Sequence, residues 1–195
     1  MLKKLLTIVF VIISLFMLGE CMGGDRSSRD QIIQFFLDNE EFLNKAVAEI
    51  ENLDEYVSYI ANTRFRPRDG LGFEGLYKSG IVDAINVTTP LDNPILYELL
   101  KDGIIRSISI RRADPIRGTT YQIQFAFRTR GFWDRYEGVY FSKNDEPTTF
   151  NGREWINPEP KGEGWVSYGR HFYYTERIVA HWFYYEMLFS SNRTP

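Results

Sequence analysis

The chain has one cysteine, Cys21, and two histidines, His171 and His181, among 195 residues. A single cysteine excludes a disulfide within the chain, so the fold must be held by its core alone. Neither histidine has a second histidine or a cysteine at ligand spacing, so neither a metal nor any other cofactor is expected. An excess of basic charge is missing too. The 23 Lys+Arg against 26 Asp+Glu leave a net charge of −3, which argues against a nucleic-acid partner. Gly70, Gly72 and Gly75 lead into no phosphate-cradling pattern. Ser167 has Trp165 where a nucleophile elbow needs glycine. With these motifs absent, the chain reads as a non-enzyme more readily than as an enzyme.

What is present begins at the N-terminus. Met1-Leu2-Lys3-Lys4 is a short cationic start, and Leu5 to Gly19 carries no charge. A basic start followed by an apolar stretch of this length describes a secretory signal. Leu18-Gly19-Glu20-Cys21 then resembles the processing site of bacterial lipoproteins, with an aliphatic residue three before the cysteine. Glu20 stands where that family carries Gly, Ala or Ser. The resemblance implies lipid attachment at Cys21 and an extracytoplasmic domain tethered to the cell membrane of a bacterium. An uncleaved anchor is the alternative that Glu20 leaves open, although a spanning helix needs about 20 apolar residues. Ordinary secretion is a further alternative, but no Ala-x-Ala exit is present. The expected layout is a signal over 1–21, a polar tether over 22–27, and one domain over 28–195, a length that supports a sizeable core.

Two kinds of periodicity follow in order. From Phe42 the apolar residues recur at steps of three or four through Ala46, Val47, Ile50, Leu53, Val57 and Ile60. This spacing predicts amphipathic helix over Ser28 to Ile60, as one bent helix or two, with Asp38-Asn39-Glu40-Glu41 able to cap a second. Arg64 to Gly80 reads as loop, and Ile81 to Val87 as a strand. Asp92 or Asn93, Pro94 and Gly103 punctuate a short helix. The period then becomes two. Tyr121, Ile123, Phe125 and Phe127 alternate with Gln122, Gln124, Ala126 and Arg128, which predicts a strand with one buried face and one wet face. Tyr136 to Ser142 continues as strand, and Asn151-Gly152 suits a hairpin turn. Tyr168 to Phe189 is rich in aromatic and β-branched residues, and is read as two strands turning near Ile178 to His181 in preference to one helix.

Helices first and strands afterwards imply an α+β fold, an antiparallel sheet of four to six strands with helices on one face. The element order resembles the cone-shaped, curved-sheet folds related to nuclear transport factor 2, an analogy of architecture only.

Three kinds of side chain are candidates for function. All four tryptophans fall after residue 130, and Trp133, Trp155 and Trp165 lie in or beside loop-like segments, where flat amphipathic rings serve glycan or protein ligands. Arg111 and Arg128 could share one sheet face and clamp an anion, although solvated arginines with rim partners are the commoner case. Asp134, Glu137 and Glu176 supply carboxylates for an envelope-acting hydrolase. The leading expectation is a membrane-tethered binding or interaction domain for a protein, small-molecule or glycan ligand. The hydrolase and a small-molecule-binding cone are the alternatives.

Overall fold

A computed structural model describes residues 28–65, 72–114, 116, 120–127, 135–148, 164–168 and 171–189. The α+β class is as expected, with both helices on one face of an antiparallel sheet. Four to six strands is an undercount: among the described residues the sheet has nine, ordered β3-β2-β1-β4-β5-β6-β9-β8-β7. The strands are β1 (Val57–Asn62), β2 (Leu76–Val82), β3 (Ile85–Pro90), β4 (Ile105–Arg111), β5 (Gln122–Phe127), β6 (Arg135–Ser142), β7 (Gly164–Tyr168), β8 (His171–Val179) and β9 (Trp182–Phe189). The sheet is open, with β3 and β7 at its two edges.

The first helix, α1, spans Ser28–Glu51 and is kinked at Asn39, whose backbone leaves helical geometry at φ −127°. The Asn39 side chain donates to the Phe35 carbonyl at 2.8 Å, satisfying an acceptor that the kink exposes. The helix therefore stops well short of Ile60. The three-residue step from Val57 to Ile60 imitates a helical stripe because β1 carries a bulge between Val57 and Tyr59. A bulge adds one residue, so positions three apart fall on the same face. Both side chains are fully buried in the core.

The segment read as loop up to Gly80 likewise yields β2. It turns through Asp83-Ala84, both in the left-handed region, into β3. The second helix, α2 (Pro94–Leu100), is punctuated as expected. Asn93 caps it by accepting from the Leu96 N–H at 3.0 Å, Pro94 opens it, and Gly103 follows at φ +71°. The C-terminal segment is a hairpin of β8 and β9, turning at Ala180-His181.

One core lies between the helices and the sheet. Phe36, Leu43, Ala46 and Ile50 of α1 and Leu96 and Leu100 of α2 meet Ile60, Ile108, Ile123, Phe125, Val139 and Trp182 from the strands. Trp182 packs on Phe36 and Phe125, with ring centroids 5.0 and 5.6 Å away, and its indole N–H donates to Asn44 on α1 at 2.9 Å. Near its start α1 is tied down again. The Arg29 guanidinium holds the Glu176 carboxylate through both oxygens, and the Tyr174 hydroxyl donates to the same carboxylate at 2.9 Å.

The opposite sheet face is the main departure from expectation. Gln122 and Gln124 were expected to be wet, yet they are 0% and 3% exposed. They belong to a second buried cluster, described next.

Candidate functional site

Strand register sorts the far-face residues. Gln122 stands opposite Arg111 on β4 and Ser142 on β6, and Gln124 opposite Ser109 and Tyr140. Tyr140 faces Phe183, and Tyr185 faces Gly138 and Thr175. Tyr173 stands opposite Met187. Alternation along each strand puts all of these on the face turned away from α1.

This face curls on itself. Tyr173 and Arg111 are four strand positions apart, roughly 19 Å in a flat sheet at about 4.8 Å per strand. Even so, the Arg111 guanidinium and the Gln122 carboxamide both act on the Tyr173 hydroxyl. Sheet curvature away from the helices brings β8 towards β4 and β5. The face is therefore concave, and its side chains cover one another.

Aromatic rings line much of it. Tyr140 stacks on Phe183 at 5.1 Å and 12°, and Tyr173 stacks on Tyr185 at 6.0 Å and 18°. Gly138 makes room for this. A Cβ there would lie 2.0 Å from the Phe125 carbonyl oxygen and 2.8 Å from the Tyr185 ring, so only glycine lets that ring lie down on the sheet.

Polar atoms run between the rings. Thr175 donates to the Tyr184 carbonyl at 3.0 Å, which commits its only proton. Tyr140 must then donate to Thr175 Oγ1 at 2.8 Å, and it accepts from the Thr148 N–H at 3.1 Å. That chain is satisfied. Gln122 is not: both atoms of its buried carboxamide lack a hydrogen-bond partner, as does the buried Ser142 hydroxyl opposite it. The amide lies near enough to the Tyr173 hydroxyl to favour its ionised form, but too loosely for a formed hydrogen bond. Leaving a buried amide unpaired costs about 1–3 kcal/mol, so the arrangement is not explained by stability.

Burial dominates the electrostatics. It pushes the Tyr140 hydroxyl up to about 12, and those of Tyr173 and Tyr185 upward as well. These phenols stay neutral at physiological pH and can donate. Burial also lowers the half-buried Arg111 guanidinium from its usual value, which still leaves it a cation.

Of the residues expected from sequence, Arg111 sits on this face beside Gln122. Trp165 lies in β7, a strand. Cys21, Arg128, Trp133, Asp134 and Trp155 lie outside the described residues. Glu137 and Glu176 are on the helix-facing side. Glu137 is fully buried and accepts from the Tyr184 hydroxyl at 3.2 Å, while Glu176 is held by Arg29. Sequence reasoning missed Gln122, Ser142, Tyr140, Tyr173 and Tyr185. A signal was available: a truly wet strand face tends to carry Lys or Glu, whereas Gln122, Gln124 and Ala126 are uncharged.

No family model, no curated protein and no solved structure matches the chain. Among the described residues, no helix is long and apolar enough to cross a membrane.

Proposed function

We propose that the chain is a membrane-tethered extracytoplasmic binding domain, and that its concave sheet face takes a small organic ligand. The observation that carries this is the row Arg111–Gln122–Ser142 across three strands, with the Tyr173 hydroxyl turned towards it. A few convergent polar groups among aromatic rings are the usual make-up of a small-molecule site. The curl of the sheet supports a cone-like reading of the fold. The carboxylates suggested for hydrolysis give less support to an enzyme. Glu137 and Glu176 lie on the other face and are engaged by Tyr184 and Arg29.

Tethering rests on the N-terminal pattern ending at Cys21. Its test is expression in a bacterium, with wild type and Cys21→Ser compared by intact mass and by membrane fractionation. Lipid attachment predicts a heavier, membrane-bound wild type, and identical behaviour of the two would refute it. Binding is tested by thermal shift with a panel of ring-bearing compounds. Stabilisation of the wild type but not of a Tyr173→Leu variant supports the site. Equal shifts in both proteins argue against it.

A further inference from the structure

We infer that the ligand of this face presents a neutral donor–acceptor edge, as a primary amide, a lactam or a cyclic imide does, carried on a planar ring. The inference rests on the binding-site reading above and names the ligand class for it.

The argument starts from Gln122. Its carboxamide offers one acceptor, Oε1, and one double donor, Nε2, side by side in a plane. Both atoms are buried and without a hydrogen-bond partner. A group that satisfies both must itself supply a donor and an acceptor side by side. An amide or imide edge does this in a two-bond, in-plane pairing. A carboxylate does not, because it has two acceptors, and one would face Oε1 lone pair to lone pair. A hydroxyl satisfies only one atom well. The Ser142 hydroxyl, also buried and unpartnered, lies directly across the ladder and can serve either polarity. Desolvation points the same way, since bringing an anion into such an interior is far costlier than bringing in a neutral amide. The ring preference follows from the surroundings. The stacked pairs Tyr140–Phe183 and Tyr173–Tyr185 occupy the same face, and the Tyr173 hydroxyl reaches Gln122 itself.

The test compares benzamide with benzoate, two rings of one size that differ in this edge. Binding to the purified full-length chain in detergent is followed by titration calorimetry or by saturation-transfer NMR. The wild type should bind benzamide at least tenfold more tightly than benzoate. Gln122→Leu should weaken benzamide tenfold or more with an unchanged circular dichroism spectrum, and should leave benzoate nearly unaffected. Ser142→Ala, expected to weaken benzamide severalfold, replaces Gln122→Leu if that variant fails to fold. Benzoate binding as tightly as benzamide, or benzamide binding indifferent to both variants, overturns the amide-edge inference and leaves the binding face in place. If neither ring binds at millimolar concentration, the binding-face reading fails as well.

Discussion

The two faces of this sheet are both buried and are built from opposite chemistry. The helix-facing side is filled mainly by aliphatic residues and by Phe36, Phe125 and Trp182, and its polar atoms serve to fasten α1. The far side is filled by Tyr140, Tyr173, Phe183, Tyr185 and Met187, with glutamine, serine and threonine between them. An apolar core needs only shape. A polar interior needs a partner for every donor and acceptor, and is costly where one is missing. The first face therefore reads as scaffold. The second retains unpaired groups at Gln122 and Ser142, where apolar residues would be more stable. Protein interiors that forgo stability in this way are found at functional sites.

The contrast is broken most severely from the scaffold side. Phe125 is fully buried against Trp182. Phe125→Ala should cost about 3–5 kcal/mol, as aromatic truncation in a packed core does. Denaturant melts measure this. A cost below about 1 kcal/mol would mean that the helix-facing side is not the main source of stability.

Gly138→Ala addresses the junction of the two faces, since the new Cβ meets the Phe125 carbonyl and the Tyr185 ring. A loss of about 1–3 kcal/mol is expected from the forced shift. Near-ultraviolet circular dichroism should change at the same time, because a tyrosine ring moves. An unchanged tyrosine signal with full stability would refute the close approach.

Alkaline pH tests the far face by itself. Its phenols have raised pKa values in the folded chain, chiefly through burial. In the unfolded chain tyrosine titrates near about 10. Between these values the unfolded state has released protons that the folded state retains, so stability falls as pH rises. Stability should be intact below about pH 10 and decline above it, at most about 1.4 kcal/mol per pH unit for each tyrosine involved. Tyr140→Phe should flatten part of that decline. A stability curve level to pH 12 would mean that these hydroxyls are not buried.

The smallest expected effect sharpens the comparison most. Gln122→Leu replaces an unpaired buried amide with an apolar group of similar volume. Its stability should stay within about 0.5 kcal/mol of wild type or rise, because no formed hydrogen bond is lost. Equivalent truncations on the helix-facing side are expected to be destabilising. A loss above about 1 kcal/mol for Gln122→Leu would show that the amide is structurally engaged, and the far face would become a second scaffold core.

Local chemistry in the chain was sufficient for several elements. Asn93, Pro94 and Gly103 set the bounds of α2, since each relieves a particular backbone group or conformation at a helix end. Alternation identified β5, and aromatic and β-branched content identified the β8–β9 hairpin. Asn39 marked the place where α1 bends. The end of α1 was misread because the bulge in β1 reproduced a helical step, and a bulge is visible only once the partner strand is in place.

What sequence alone determined is thus the α+β class, the helix caps, and which side chains of each strand share a face, because propensity, capping and pleat act over a few residues. Tertiary structure alone decided that the sheet has nine strands and that it curls. It also decided that Gln122, expected to meet water, is shut in beside Ser142 and within reach of Tyr173. Strand alternation separates two faces without saying what covers either of them. Here the cover comes from strands some fifty residues further along the chain, through a curvature that no local pattern encodes.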